Sequence, residues 1–362
     1  MKKASYSTIV VKIGTSALLT PRKTLNINAL DELVRQIASL AEEHINVIVV
    51  SSGAVACGKD RLHDRKTSSA ESVEERQLFA AVGQVELMAH YRTALQEHDL
   101  VIAQVLATKE DFRTRGHYAN MSRCFEALRS AGVIPIVNEN DVVAVEELMF
   151  TDNDQLAGLV ASMVGADALI ILSTVDGVFD RPLDRAGARL IRTIRPGEEL
   201  GHIGIGRKSS SGRGGMQTKL DTARLLSSQG ITTHIANAAT PDVLLRILRG
   251  ESTGTVVLPA RTSLSKTRRW LANSAEHRRG SVTVDAGAGK ALGAAQPANL
   301  LPVGIRSVSG TFRKGDVVSV MSEAGVAIGI GMAAYGNSVL AKCLGKRGHP
   351  AFIRADYFFP FL

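Results

Sequence analysis

The sequence predicts an α/β fold, a three-layer αβα sandwich with a mainly parallel sheet, followed by a small C-terminal β-barrel. Short β-branched runs alternate with amphipathic helical stretches over the first 260 residues, which is typical of a parallel sheet covered by helices. Polar clusters directly follow several of these runs, at the strand ends where such sheets bind ligands. After residue 280 the helical pattern gives way to short strand-like runs with frequent glycine.

Length and charge both divide the chain into two parts. Since 362 residues are too many for one typical core, we expect two domains, residues 1–260 and 280–362, joined by a polar and basic linker at 261–279. Residues 261–362 hold 14 Lys and Arg against 5 Asp and Glu, whereas the net charge of the whole chain is +8. The basic part can attract nucleic acid or another polyanion, or it can be an ordinary solvated face.

Cysteine usage and hydropathy exclude several classes of protein. Cys57, Cys124 and Cys343 are widely spaced and form no C-x-x-C pair, which argues against a disulfide framework or a zinc site. No apolar run reaches the roughly 18 to 20 residues that span a bilayer. Lys12 interrupts the first apolar run, so this run is not a signal peptide. We therefore expect a cytoplasmic protein.

The first predicted strand, residues 8–13, ends at Gly14 and carries Lys12 near its end. A lysine inside an apolar strand is costly unless it reaches a partner or water. Lys12 is therefore either an anion ligand or an edge-strand lysine that extends to solvent.

A helical pattern over residues 30–41 and a second apolar strand at 47–50 complete a strand–helix–strand unit. This second strand ends in Ser51-Ser52-Gly53-Ala54. Ser52 and Gly53 can offer a hydroxyl and backbone N–H groups to an anion, or they can simply cap the next helix.

The central stretch of the sequence is V-I-P-I-V-N-E-N-D at 133–141, a buried strand that ends in Asn138, Glu139, Asn140 and Asp141. A second polar cluster at 152–154 precedes an apolar helix, which Asp152 and Asn153 can cap. Both clusters are predicted to face one cleft, although capping and turn formation alone would also explain them.

Further alternation completes the first domain. A polar loop is predicted at 61–75 and a loop or hairpin at 180–195. The remaining predicted helices cover 77–97, 120–131 and 241–249, and the remaining strands cover 101–106, 169–172, 231–236 and 254–258.

Two glycine-rich stretches are candidates for phosphate binding. Residues 201–209 nearly match the P-loop pattern, but Arg207 displaces the lysine and no strand precedes the stretch, so we reject that match. Residues 211–220 are better placed, because glycines precede an amphipathic helix whose N–H groups and dipole can face an anion. Lys219 can add a positive charge there. A flexible connector is the alternative reading.

The second domain is predicted from strand-like runs beginning near 281, 304, 316 and 326. The aromatic C-terminus, 353–362, is a candidate interface.

The order of motifs resembles the glutamate 5-kinase branch of the amino acid kinase family, followed by a PUA domain. The resemblance covers almost the whole chain. Its motifs are V-V-K-I-G-T-S at 10–16, V-S-S-G-A at 50–54, A-A-V-G-Q at 80–84, I-P-I-V-N-E-N-D at 134–141, D-N-D at 152–154, G-G-M-Q-T-K at 214–219 and the PUA-like run at 300–316.

The resemblance implies a role for each matching residue. Lys12, Lys219, Asp154 and Asp152 would be catalytic, with Asp154 holding the two lysines in position. ATP would contact Lys12, the pair Ser173 and Thr174, and the loop of Arg213, Gly214, Gly215, Met216, Gln217, Thr218 and Lys219. L-glutamate would contact Ser52, Gly53, Asn138, Asn140, Asp141 and Asn153.

The resemblance also implies ATP-dependent phosphorylation of the glutamate side-chain carboxylate, the first step of proline synthesis, with Mg²⁺ and no assigned protein ligand for the metal. It further implies proline as feedback inhibitor, a downstream glutamyl phosphate reductase and a homo-oligomer. Two departures affect the nucleotide site: Thr174 stands where the family usually has Asp, and Arg213 replaces a small residue.

Two alternatives remain. Another kinase of this family would act on aspartate, acetylglutamate, carbamate or UMP, whereas a PUA-containing RNA-binding protein would use the basic C-terminal part. The acidic and amide-rich run Asn138 to Asp141 favours an acceptor with a free ammonium group.

Overall fold

The computed structural model describes residues 6–63, 72–143, 152–182, 185, 187–198, 215–261, 264–274, 278–294 and 298–361. The chain divides into two compact units, Met1–Thr262 and Ser263–Leu362. The predicted αβα sandwich and the predicted β domain lie in the first and second unit respectively.

The first unit is built on a sheet whose described strands follow the order β3-β4-β2-β1-β5-β9-β10-β8. All described pairings are parallel except that of β10 with β9, and β8 joins β10 at the edge. The strands of this sheet are β1 Thr8–Ile13, β2 Asn46–Ser51, β3 Ile102–Ala107, β4 Ile134–Glu139, β5 Ala168–Ser173, β8 Thr193–Ile194, β9 Thr232–Asn237 and β10 Thr255–Val257. A separate antiparallel pair joins β6 Val178–Phe179, just before the predicted excursion at 180–195, to β7 Leu190–Ile191 within it.

Helices connect the strands of the first unit. The described helices are α1 Thr15–Leu18, α2 Ile27–Glu42, α3 Ala54–Arg61, α4 Val73–Gln96, α5 Lys109–Arg113, α6 Arg115–Ser130, α7 Asn153–Val164, α8 Met216–Ser228 and α9 Val243–Leu248. The predicted helices of this unit are confirmed, and most of them begin several residues before the first residue of the predicted range. Part of the predicted loop at 61–75, residues 64–71, lies outside the described residues.

Strand β1 lies inside the sheet, between β2 and β5. Its residues Ile9, Val10 and Val11 have no exposed surface, as expected for a strand covered on both faces. The chain passes from β1 to β2 on one side and later returns to β5 on the other side. This reversal of strand order creates a crevice at the carboxyl ends of the strands, which is where open α/β sheets bind ligands.

The long helix α4 packs closely on α3. A Cβ atom added to Gly83 would lie 1.7 Å from the carbonyl oxygen of Ala54, so only glycine permits this approach. This contact gives a structural reason for the glycine in A-A-V-G-Q. It also fixes the face of α4 that looks toward the strand ends.

The second unit contains a mixed five-stranded sheet in the order β12-β11-β13-β14-β15. Its elements are α10 Lys266–Ala272, β11 Gly280–Val284, α11 Ala286–Leu292, β12 Ile305–Gly310, β13 Val317–Ser322, β14 Ala327–Met332, α12 Asn337–Cys343 and β15 Phe358–Pro360. A core that includes Phe312, Phe352 and Phe358 packs against this sheet.

Two expectations about the second unit need correction. The predicted linker contains α10, which buries Trp270 and Leu271 and contacts β14 and β15. This part of 261–279 is therefore packed secondary structure. The aromatic C-terminus is also largely internal, because β15 pairs with β14 and Phe358 is fully buried.

Among the described residues, no helix combines the length and the hydropathy needed to cross a bilayer.

Candidate active site

A buried carboxylate, that of Asp154, joins two lysines from distant parts of the chain. Lys12 Nζ lies 2.6 Å from Asp154 Oδ1, and Lys219 Nζ lies 2.7 Å from Asp154 Oδ2. Asp154 has no exposed surface, and the two lysines are 6% and 8% exposed. Lys12 is therefore not an edge-strand lysine that extends to solvent, since its strand is internal and its amine has an acidic partner.

Three elements of the first unit position these side chains. Lys12 is the penultimate residue of β1, Asp154 is in the first turn of α7, and Lys219 is in the first turn of α8. Helices α7 and α8 approach closely, because a Cβ atom on Gly158 would lie 2.6 Å from Thr222 Cγ2. This packing brings the N-terminal ends of both helices to the crevice beside β1.

The charge of Asp154 is secured by its partners. Burial alone would raise the pKa of this carboxyl, but Lys12 and Lys219 together outweigh burial and hold its pKa below the usual value. Asp154 therefore stays ionised. The two lysines carry two positive charges and the Asp154 carboxylate neutralises one of them, so one positive charge remains at the site.

Asp152 connects the starts of the same two helices. Its Oδ1 accepts hydrogen bonds from the backbone N–H groups of Asp154 and Gln155, as predicted for an N-cap, and its Oδ2 accepts one from the Thr218 hydroxyl at 2.7 Å. Burial, followed by the nearby charge of Asp154, raises the pKa of Asp152. With both oxygens engaged, Asp152 has a geometry suited to holding α7 and α8 in register.

Amide and hydroxyl groups meet next to this centre. The Asn153 side-chain NH₂ donates to Ser52 Oγ at 2.8 Å, to the Ser51 carbonyl at 3.0 Å and to Asn138 Oδ1 at 3.1 Å. Gly53 follows Ser52 with φ of 113°, a conformation that favours glycine, and it precedes the first turn of α3. The ends of β2 and β4 and the start of α7 thus form one polar pocket.

One face of α4 lies along this pocket and contacts the ends of β2 and β4. Its contact residues are spaced by seven or eight positions, or roughly 10 to 12 Å along the helix axis. The contacts are Tyr91 OH with Ser51 Oγ at 2.9 Å, Gln84 Oε1 with Asn138 Nδ2 at 2.9 Å, and Arg76 Nη2 with Asp141 Oδ1 at 2.6 Å.

The end of this pocket at Asp141 carries an ion pair. Burial raises the pKa of Asp141, although the facing Arg76 guanidinium acts in the opposite direction. Asn140 is also at this end, and its backbone N–H donates to the carbonyl of Ala107 at 2.9 Å.

The remaining nucleotide-site predictions lie at other strand ends. Ser173 ends β5 and Thr174 is exposed just after it. The nearby Asp176 accepts a hydrogen bond at 2.9 Å from Asn237, the last residue of β9. Gly215 immediately precedes α8, and Met216, Gln217, Thr218 and Lys219 form its first turn. Arg213 and Gly214 lie outside the described residues.

Sequence reasoning gave no role to Arg76 or Gln84, although Gln84 ends the motif A-A-V-G-Q. Gln84 lies within the predicted helix 77–97, and Arg76 lies one residue before it. Polar side chains on such a helix are ordinarily assigned to solvent. Arg76 and Gln84 are eight residues apart, which places them on nearly the same side of a helix as the buried Ala80 and Gly83. This spacing is the feature of the sequence that could have indicated that both side chains face the site.

Comparison with known proteins identifies the fold family. Residues 7–237 match the model of the amino acid kinase family, and residues 280–350 match the model of the PUA domain. The chain belongs to the amino acid kinase family. The first match includes the strands and helices that hold Lys12, Asp154 and Lys219.

Two relatives align with nearly the whole chain. A protein of Bacteroides thetaiotaomicron named glutamate 5-kinase is 40% identical over 360 residues, with 99% of each chain covered. A protein of the same name from Chlorobaculum tepidum is 43% identical over 357 residues, with 98% of this chain and 97% of the relative covered. The solved structure of carbamate kinase from Giardia lamblia bound to AMP-PNP matches with a TM-score of 0.52 and 17% identity, over 71% of this chain and 99% of that chain. The structural match supports the fold.

Proposed function

We propose that the chain transfers the γ-phosphoryl group of ATP to the side-chain carboxylate of L-glutamate, forming L-glutamyl 5-phosphate in the first step of proline biosynthesis. The observation that carries this proposal is the Lys12–Asp154–Lys219 arrangement next to a pocket of amide and acidic groups. Relatives named glutamate 5-kinase, at 40% and 43% identity over nearly the full length, support the choice of acceptor.

The nucleotide lies at the lysine end of the site. Lys12 and Lys219 face the phosphates, and the backbone N–H groups at the start of α8 add the positive end of a helix dipole. The Asp154 carboxylate can satisfy only part of the donor capacity of two ammonium groups, which leaves donors for phosphate oxygens. No residue of the chain is assigned to Mg²⁺, which would accompany ATP and would supply charge neutralisation on the triphosphate.

The acceptor lies between the lysines and the Asp141 end. Ser52, Asn138 and Asn153 supply neutral hydrogen-bonding groups around it, and Gly53 and Asn140 border the same pocket. The acidic Asp141 favours a free ammonium group. An amino acid with a second carboxylate therefore fits with its side chain directed toward the phosphates.

The chemistry needs alignment and charge neutralisation more than it needs a base. A glutamate carboxylate is already ionised near neutral pH, so it attacks the γ-phosphorus without losing a proton, and ADP leaves. Lys12 and Lys219 offset the repulsion between the acceptor and the triphosphate, and they stabilise the charge that develops on the transferring oxygens. Asp154 keeps both ammonium groups fixed during the transfer.

Other members of the family act on different acceptors, so acceptor choice is the point to test. ADP release from ATP and Mg²⁺ is measured with L-glutamate, L-aspartate, N-acetylglutamate, carbamate and UMP offered separately, and hydroxylamine traps any acyl phosphate. We expect hydroxamate with glutamate alone. Turnover of another acceptor, with none for glutamate, would contradict the proposal.

The product also suggests partners. Glutamyl 5-phosphate is a labile acyl phosphate, so a glutamyl phosphate reductase would consume it, and proline would act as feedback inhibitor at the acceptor pocket of a homo-oligomeric enzyme. Inhibition by proline that is relieved by added glutamate would support this assignment, and no inhibition at millimolar proline would contradict it. RNA binding by the PUA domain is a separate candidate, favoured by the 14 Lys and Arg against 5 Asp and Glu in residues 261–362. RNA retained at low salt and released steeply as salt rises would support it, and no retention at low salt would contradict it.

A further inference from the structure

Arg76 is a charged side chain in the site to which neither the family motifs nor the mechanism above gives a role. It begins the face of α4 that also carries Gln84, and its Nη2 lies 2.6 Å from Asp141 Oδ1. The two side chains are 27% and 10% exposed, so the pair is partly withdrawn from water but not fully buried.

The charge of this pair limits what can bind beside it. Asp141 already faces a cation, so a ligand that brought only an ammonium group would place two positive charges around one carboxylate. A ligand that brought only a carboxylate would meet Asp141 as a like charge. A zwitterionic head group satisfies both partners, because its ammonium faces Asp141 and its carboxylate faces the guanidinium.

We propose that Arg76 binds the α-carboxylate of the amino acid acceptor while Asp141 binds its α-ammonium, so that the Arg76–Asp141 pair selects an amino acid head group. This inference rests on the proposed function. A guanidinium is suited to the task because its planar array of five N–H donors can serve two carboxylates at once. Arg76 is thus a specificity-determining residue for the acceptor.

The position of Arg76 along α4 fits this role. Gln84, about two helical turns further along, holds Asn138, which in turn accepts from Asn153 beside Asp154. The head group therefore lies at one end of the pocket and the reacting carboxylate at the other. Arg76 touches the part of the acceptor that does not react, so its loss weakens binding more than chemistry.

The test compares ligands that lack one charge at a time. γ-Aminobutyrate is glutamate without the α-carboxylate, and glutarate is glutamate without the ammonium. Kinetic constants for L-glutamate and inhibition constants for the two analogues are measured for the wild type, Arg76→Gln and Arg76→Lys. Arg92→Gln, an exposed arginine on the same helix, is the matched control.

We expect Arg76→Gln to raise the KM for glutamate roughly 10- to 100-fold, the range for losing a hydrogen bond to a charged group, with kcat changed less than about threefold. The inhibition constant of glutarate should rise in parallel, and that of γ-aminobutyrate should not. Arg76→Lys should restore part of the binding, and Arg92→Gln should resemble the wild type.

Two results would overturn the inference. Equal weakening of glutamate and γ-aminobutyrate would mean that Arg76 only orients Asp141. An unchanged or lower KM for glutamate would mean that Arg76 competes with the substrate ammonium. Failure of the proposed function is distinguishable from both, because the wild type would then form no hydroxamate from glutamate.

Discussion

Asp154 Oδ2 accepts a hydrogen bond from Lys219 Nζ at 2.7 Å, although the two residues are 65 positions apart and belong to different helices. The other oxygen of the same carboxylate faces Lys12 at 2.6 Å. One carboxylate thus fixes two cations, and its lowered pKa suits it to hold charges in place and not to accept a proton. This relationship determines what should happen when any of the three residues is changed.

Removal of the Asp154 charge should disable the site. We expect Asp154→Asn to lower kcat by about 10²- to 10³-fold, because both lysines lose the group that positions them. Two poorly compensated lysines should also reduce the free energy of unfolding by about 3 kcal/mol. Steady-state kinetics and urea unfolding measure the two effects. Asp31→Asn, an exposed change, is the control, and turnover of Asp154→Asn near that of the control would contradict this role.

Removal of the Lys219 amine should affect transfer while leaving the fold intact. Lys219→Ala is expected to lower kcat by about 10²-fold or more and to raise the KM for ATP. Arg224→Ala removes an exposed positive charge from the same helix and should leave both constants unchanged. Initial rates at varied ATP concentration give kcat and the KM for ATP of both variants. If Lys219→Ala and Arg224→Ala behave alike, Lys219 does not contact the phosphates.

Asp141 should give glutamate binding a pH dependence on the acid side. Burial raises the pKa of this carboxyl, so it takes up a proton at a higher pH than an ordinary Asp and then loses its attraction for the substrate ammonium. We expect kcat/KM for glutamate to fall as pH drops through that pKa. Asp141→Asn should be weaker at neutral pH and lack this acid limb, apart from titration of glutamate itself. An acid limb that is identical in the variant would assign it to another group.

His234 should contribute to acid sensitivity of the fold. Its Nε2 lies 2.9 Å from Tyr6 OH, and burial lowers the pKa of the imidazole to about 4. Because the unfolded chain takes up this proton at about pH 6.5, stability should fall as pH drops from there toward 4, by on the order of 3 kcal/mol.

The matched comparison is His234→Gln with His98→Gln, which changes an exposed histidine. Urea unfolding at pH 7.5 and pH 4.5 should show a smaller acid loss for His234→Gln than for the wild type, whereas His98→Gln should retain the full loss. Equal losses in all three proteins would remove His234 as a cause.

The contact of α3 with α4 should tolerate no side chain at Gly83. A Cβ atom there would lie 1.7 Å from the Ala54 carbonyl oxygen, so Gly83→Ala should separate the helices and lower the free energy of unfolding by about 1 to 3 kcal/mol. Gly116→Ala, in α6, meets no atom within 4 Å and should be neutral or stabilise slightly. A neutral Gly83→Ala would show that the contact is looser than the structure has it.

The periodicity of apolar residues was sufficient to predict the fold, but it was insufficient to predict several side-chain contacts. Strands such as β4 and helices such as α2 follow from apolar runs and their spacing, and the motif order indicated which polar residues share a cleft. The Asp154–Lys219 distance depends on the approach of α7 and α8 at Gly158, which no local pattern encodes. Helix α10 was missed because it is seven residues long and mostly polar or basic, with burial at Trp270 supplied by the rest of its unit.

The measurement that tests the central claim most directly is the ratio of γ-glutamyl hydroxamate to ADP when the wild type turns over ATP, Mg²⁺ and L-glutamate with hydroxylamine present. If the lysine pair transfers the phosphoryl group to the side-chain carboxylate, one hydroxamate should form for each ADP. ADP released with neither hydroxamate nor 5-oxoproline, the lactam that the free acyl phosphate forms, would mean that water is the acceptor. The absence of ADP and of both products would mean that glutamate is not the substrate of this site.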